Sequence, residues 1–110
     1  MNAYDELASQ LEPDEVVVKV VFGDWGWTGY REPEPKIPDN MRKRVLTLAE
    51  AEPFMQHWWF SGGYGSPDCY ATYIWTNKRV FFVQTYDGST DLVSVPRAPI
   101  NCNPDMPGGG

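Results

Sequence analysis

The chain has 110 residues, with 15 Asp+Glu against 9 Lys+Arg, a formal net charge of -6 and 42% hydrophobic residues. That length and apolar content suit one globular domain with one core and exclude a disordered polyelectrolyte. No apolar run approaches the roughly 18 to 20 residues of a membrane span, and the net negative charge repels nucleic-acid phosphate, so membrane and direct nucleic-acid partners are not expected.

In chain order, Asn2 can cap a first helix in which Tyr4, Leu7, Ala8 and Leu11 recur at helical spacing, with Asp5 and Glu6 in the first turn. Pro13 closes it. The β-branched run Val16–Phe22 predicts a strand buried on both faces over most of its length. Residues 23–40, with three Gly and three Pro, form a connection longer than the usual loop. Trp25, Trp27 and Tyr30 within it predict an ordered flap whose aromatic part packs against the domain. Thr47-Leu48-Ala49-Glu50 is a capping box. A short helix should therefore follow from about Leu48 to about Gln56, weakened by Pro53. Trp58-Trp59-Phe60 reads as a short strand ending at the glycine-rich residues 61–67.

Residues 70–95 hold the strongest pattern. Tyr70–Trp75, Val80–Tyr86 and Ser89–Val95 are β-rich runs separated by Asn77-Lys78 and Asp87-Gly88. Two-residue turns pair Trp75 with Val80, Tyr73 with Phe82, Tyr86 with Ser89, Gln84 with Asp91, Phe82 with Val93 and Val80 with Val95. One face then carries Tyr73, Trp75, Val80, Phe82, Val93 and Val95; the other carries Ile74, Phe81, Val83 and Leu92. The helices should cover the second. The aromatic face needs the flap, another strand or a partner. The expected fold is α+β: a mainly antiparallel sheet of about four to five strands, with a C-terminal three-stranded meander and one or two short helices on one face. Residues 1–101 make the single domain, and 102–110 a flexible Pro/Gly-rich tail.

The chemistry is sparse. His57 is the single histidine, so a nucleophilic triad or multi-histidine metal site has one imidazole at most. No HExxH, CxxC, Walker or GxSxG motif occurs. Cys69 and Cys102 do not form the close ligand pairs of structural zinc sites. The absence of an export signal in the opening residues favours a reducing cytosol, with free thiols. The glycine loop at 62–67 precedes a strand, and reads better as a turn than as a phosphate cradle. No enzyme, cofactor or metal is expected.

The aromatic surplus is the most suggestive feature, since 15% of the chain is Phe, Trp or Tyr. Trp25, Trp27, Tyr30, Trp58, Trp59, Tyr64, Tyr73 and Trp75, with Arg79, are the candidate binding residues, and two or three of the rings should be exposed. Asp5, Glu6, Glu12, Asp14, Glu15, Asp24, Glu32 and Glu34 are candidates for an acidic surface. Residues 1–55 hold eleven of the fifteen acidic residues and six of the nine basic ones, and so five of the six net negative charges.

Residues 61–79, Ser-Gly-Gly-Tyr-Gly-Ser-Pro-Asp-Cys-Tyr-Ala-Thr-Tyr-Ile-Trp-Thr-Asn-Lys-Arg, followed by Tyr86-Asp87-Gly88-Ser89-Thr90 and Pro96-Arg97, resemble a family of small bacteriophage and prophage proteins with no established activity. The resemblance covers about the last half of the chain and carries no site residue. Thr76-Asn77-Lys78-Arg79 is also similar to a hairpin of bacterial pleckstrin-like domains, over four residues only. The phage resemblance implies an accessory role. Small acidic phage proteins often bind and block a host factor, so the leading expectation is a non-enzymatic accessory protein that binds and inhibits a host protein in the cytoplasm of the bacterial host cell. An antiviral-defence component (anti-CRISPR-like or similar) is the candidate target class. A small-ligand binder, holding a nucleotide between the Trp25/Trp27 flap and the 62–67 loop, is the alternative. A minor structural phage protein is a further one, and a homo-oligomer is compatible with each.

Overall fold

The computed structural model describes residues 1–60, 67–86 and 89–106. Among them run a helix α1 (Ala3–Gln10), a strand β1 (Val17–Phe22), a single 3-10 turn (Asp39–Met41), a helix α2 (Leu48–Met55), and strands β2 (Thr72–Thr76), β3 (Arg79–Tyr86) and β4 (Ser89–Pro96). The four strands form one antiparallel sheet in the order β1-β2-β3-β4. The fold is α+β.

Both helices begin where the capping chemistry places them. The Asn2 side chain accepts the Asp5 N–H at 2.7 Å. Thr47 and Glu50 close a complete capping box around the start of α2. Pro53 lies inside α2, which spans eight residues, about two turns. The meander has the expected register: Trp75 faces Val80, Tyr73 faces Phe82, Val80 faces Val95 and Tyr86 faces Ser89. The Asp87-Gly88 turn itself lies outside the described residues. The Asn77-Lys78 turn forms without positive φ, and the Thr76 hydroxyl accepts the N–H groups of Lys78 and Arg79 at 3.1 and 2.8 Å.

Two expectations are corrected. β1 is not buried on both faces: Val16 is 60% and Val18 42% exposed, and only Val20 and Phe22 are sealed. β1 is an edge strand whose register slips between Val17 and Lys19, so a bulge turns Val18 out. Among the described residues its outer side bridges to the 42–46 segment, from Phe22 to Arg42 and from Val20 to Leu46. Trp58–Phe60 is not a strand of the sheet. Among the described residues, Trp59 makes a single bridge, to Asn2, with Ala3 N–H to the Trp58 carbonyl at 2.8 Å and Phe60 N–H to the Met1 carbonyl at 3.0 Å.

The core lies on one side of the sheet. Val20, Phe22, Ile74, Phe81 and Leu92 point toward it and meet Leu7 of α1, Ala51 and Met55 of α2, and Trp58, all buried. α1 packs on α2 and β4, and α2 on β1. Trp58 joins the halves by standing edge-on to Phe22, with centroids 5.2 Å apart, and tilted against Tyr70 at 5.4 Å. None of the described helices is long and apolar enough to cross a membrane.

Candidate functional site

The candidate residues separate into four places, two of which are structural. Trp58 is 2% exposed and belongs to the core, so it is corrected from a binding residue to a packing one. Arg79 is likewise committed internally. Its guanidinium grips Glu15 at 2.5 and 3.0 Å, donates to the Gln10 carbonyl at 2.6 Å and lies 4.5 Å from the centre of the Phe81 ring. Glu15 is therefore no part of an acidic surface: its side chain is fully buried, and it also accepts the Thr76 hydroxyl at 2.5 Å. The Arg79 hydrogen bonds, with that of Thr76, outweigh burial and hold its carboxyl at a pKa of about 2.

The whole Thr76–Arg79 turn reads residues 10–16. The Asn77 side chain accepts from Val16 N–H at 2.8 Å and donates to the Asp14 carbonyl at 3.2 Å. Lys78 binds Glu12 at 2.6 Å and Asp14 at 2.7 Å, an exposed pair that raises the lysine pKa. This clasp fixes the α1–β1 connection to the sheet. It uses three of the predicted acidic-surface residues, Glu12, Asp14 and Glu15. Asp5 and Glu6 lie in the first turn of α1, where negative charge suits the helix N-terminus.

The flap is the third place. Its anchor is Tyr70, fully buried on the helix side of the sheet. Trp25 stands edge-on to the Tyr70 ring at 5.9 Å and is only partly buried. The Tyr70 hydroxyl donates to Glu32 and accepts the Ile37 N–H at 3.2 Å. Burial first, then the Glu32 carboxylate, pushes the Tyr70 pKa up to about 12. Between these anchors the flap presents Trp27 and Tyr30, 46% and 50% exposed, with their rings edge-to-face at 6.0 Å. Beside them Arg31, Glu32, Pro33 and Glu34 face Pro67 and Asp68 across an open groove of about 310 Å³. Three carboxylates and one guanidinium line it. Tyr64 and the rest of the glycine loop to Ser66 lie outside the described residues.

The fourth place is the sheet face opposite the helices. The flap does not cover it, because Trp25 is drawn to Tyr70 on the other side. Tyr73 is 57% and Val95 49% exposed, and Val21, Trp75, Phe82 and Val93 are partly open around them. Tyr73 stands edge-on to Trp75 at 5.9 Å. At the β1 end, Val21, Gly23, Lys43, Ala71 and Tyr73 line a hollow of about 400 Å³. At the β4 end a second hollow of about 340 Å³ lies between Phe82, Val93 and Val95 and the chain at Cys102–Asp105. Lys43 was not among the candidates. It takes φ 57°, a conformation Gly or Asn usually signals, and its N–H bonds the Phe22 carbonyl at 2.7 Å.

The remaining candidates stand apart. Trp59 is 65% exposed beside the N-terminus, and His57 is exposed just past α2. Both thiols are free: Cys69 is buried, which with nearby Asp68 pushes its pKa up to about 12, and Cys102 is exposed. Comparison of the chain with protein-family models, curated proteins and solved structures returns no match.

Proposed function

We propose that this chain is a non-enzymatic, phage-type accessory protein that binds and blocks a host protein, with the flap as the recognition element. One observation carries this reading: Trp27 and Tyr30 are held half out of the protein on a flap pinned at Trp25, Glu32 and Ile37 to a single buried tyrosine. Solvent-exposed aromatic rings gain little where they stand. A rigidly anchored Trp–Tyr pair is the kind of anchor that protein interfaces use, at little ordering cost.

The flanking groove sets the partner's chemistry. The groove carries Glu34 and Glu32 beside Arg31, with Lys36 4.0 Å from Glu32, so its polar rim is of mixed sign and suits a protein surface that offers both signs of charge. The use of the Trp25 ring by Tyr70 weighs against the nucleotide alternative. Antiviral-defence inhibition rests on the phage resemblance of the last half of the chain.

The test is affinity capture from host lysate with the intact chain and with Trp27→Ala/Tyr30→Ala, followed by reconstitution with the purified partner. A partner bound at micromolar concentration, weakened by salt and lost in the double variant, is the expected result. No partner, or equal capture by the variant, would refute the reading.

A further inference from the structure

We propose that the open sheet face is a self-complementary interface through which two copies of this chain form a two-fold dimer. Val21, Tyr73, Trp75, Phe82, Val93 and Val95 make a continuous apolar strip across all four strands. The acidity of the chain is kept off it. Of the strand residues on this face, only Lys19 and Asp91 are charged, and they cancel. A protein of net charge -6 is repelled by its own copy at most of its surface; this face is where that repulsion is smallest.

The charges at its margins choose the occupant. The β1 margin has a basic excess: Lys19 pairs across to Trp75, and Arg42, Lys43 and Arg44 lie on the segment bridged to β1, four cations against Asp39, which Arg42 contacts, and Asp24, which Arg42 and Lys43 share. The β4 margin carries Asp91 on the strand and Asp105 on the chain that returns beside Val93 and Val95; Arg79 also lines that hollow, but its charge is matched by Glu15. A two-fold axis parallel to the strands lays β1 of each copy over β4 of the other. Each basic margin then meets an acidic one, twice, as an isologous interface requires. The level also agrees. Lys43 lies beside Ala71 and Tyr73 at the β1 side, while Asp91 pairs with Gln84, next to the Tyr73–Phe82–Val93 row. Lys43 already touches Asp24 at 3.2 Å, but that pair is largely exposed and is readily exchanged. Two sheets packed in this way interdigitate their facing side chains about 10 Å apart. Four strands about 4.8 Å apart give a small interface, so the dimer is concentration-dependent, with Kd on the order of 1–100 µM.

Sedimentation equilibrium of the full chain from about 1 to 500 µM decides it. The expected result is a rise from 12.5 kDa to twice that mass. Tyr73→Glu, at a half-exposed position that the fold does not need, should stay monomeric with an unchanged circular dichroism spectrum. Lys43→Glu and Asp91→Lys should each weaken the dimer at least threefold, and the double swap should restore it. A wild-type chain that stays at 12.5 kDa throughout overturns the proposal. So does a dimer that Tyr73→Glu leaves intact, or a double swap no better than the singles. None of these outcomes bears on host capture by the flap.

Discussion

Glu15 and Arg79 are 64 positions apart, and their contact shows how a single buried pair sets the acid tolerance of the domain. The Glu15 carboxyl moves from an ordinary 4.5 to about 2 on folding, so the unfolded chain binds the proton more tightly. Its contribution to stability is full above about pH 4.5 and is lost as the pH falls toward 2, of order 3 kcal/mol in all. Glu15→Gln strands the Arg79 guanidinium. It should destabilise the protein by about 3 kcal/mol at neutral pH, by the penalty for an uncompensated buried charge. In urea melts, the gap to the wild-type chain should narrow sharply between pH 5 and pH 2.5. A gap independent of pH would mean that the carboxylate charge is not what matters. Tyr70→Phe is the second residue-scale test. It leaves the Ile37 N–H without its acceptor and takes the hydroxyl donor from Glu32, which keeps Lys36 at 4.0 Å, at a cost of about 1–3 kcal/mol. Because Trp25 rests on that ring, tryptophan emission should change together with stability. A shift in neither would detach the flap from this anchor.

At the scale of elements, legibility followed the range of the physics. The meander register was readable because turn spacing and period-2 alternation are local and agree with one another. The helix starts were readable because Asn2 and Thr47 act within three residues of themselves. β1 misled because a run of valines signals strand without saying which face is covered, and an edge strand with a bulge leaves Val16 and Val18 in solvent. Trp58 misled for a related reason: tryptophan is equally suited to a core and to an interface, and only topology sends Trp58 inward and Trp27 outward. The Tyr70–Glu32 anchor and the Glu15–Arg79 pair join distant positions, so no local signal announces them. α2 supplies an element-scale prediction. Pro53 is exposed at its sixth residue and cannot donate to the Ala49 carbonyl. Pro53→Ala should therefore raise stability by about 1–3 kcal/mol in thermal or urea melts. A loss would show that the helix needs the proline ring's rigidity more than the missing bond.

On the scale of the whole molecule, the flap and the open sheet face belong to different sides. The flap's three anchors all converge on Tyr70, among the core residues that the helices cover. The apolar strip faces away from them. A dimer through the strip would leave both flaps available, and a partner with two sites would be held by both at once, with the avidity that linkage confers. The two surfaces should then separate by mutation. Trp27→Ala/Tyr30→Ala removes two half-exposed rings that stand edge-to-face on each other. Its melting should stay within about 0.5 kcal/mol of the wild-type chain, and its mass in solution should be unchanged, while partner binding falls at least tenfold. Tyr73→Glu should do the reverse: it should remain a monomer that still binds an isolated partner protomer with unchanged affinity, and lose only the added retention on a densely loaded partner surface. Binding to that protomer measured by calorimetry, beside retention measured on surfaces of low and high density, distinguishes the two effects. If Tyr73→Glu abolishes binding to the isolated protomer, the partner itself occupies the strip and the flap is not the sole recognition element.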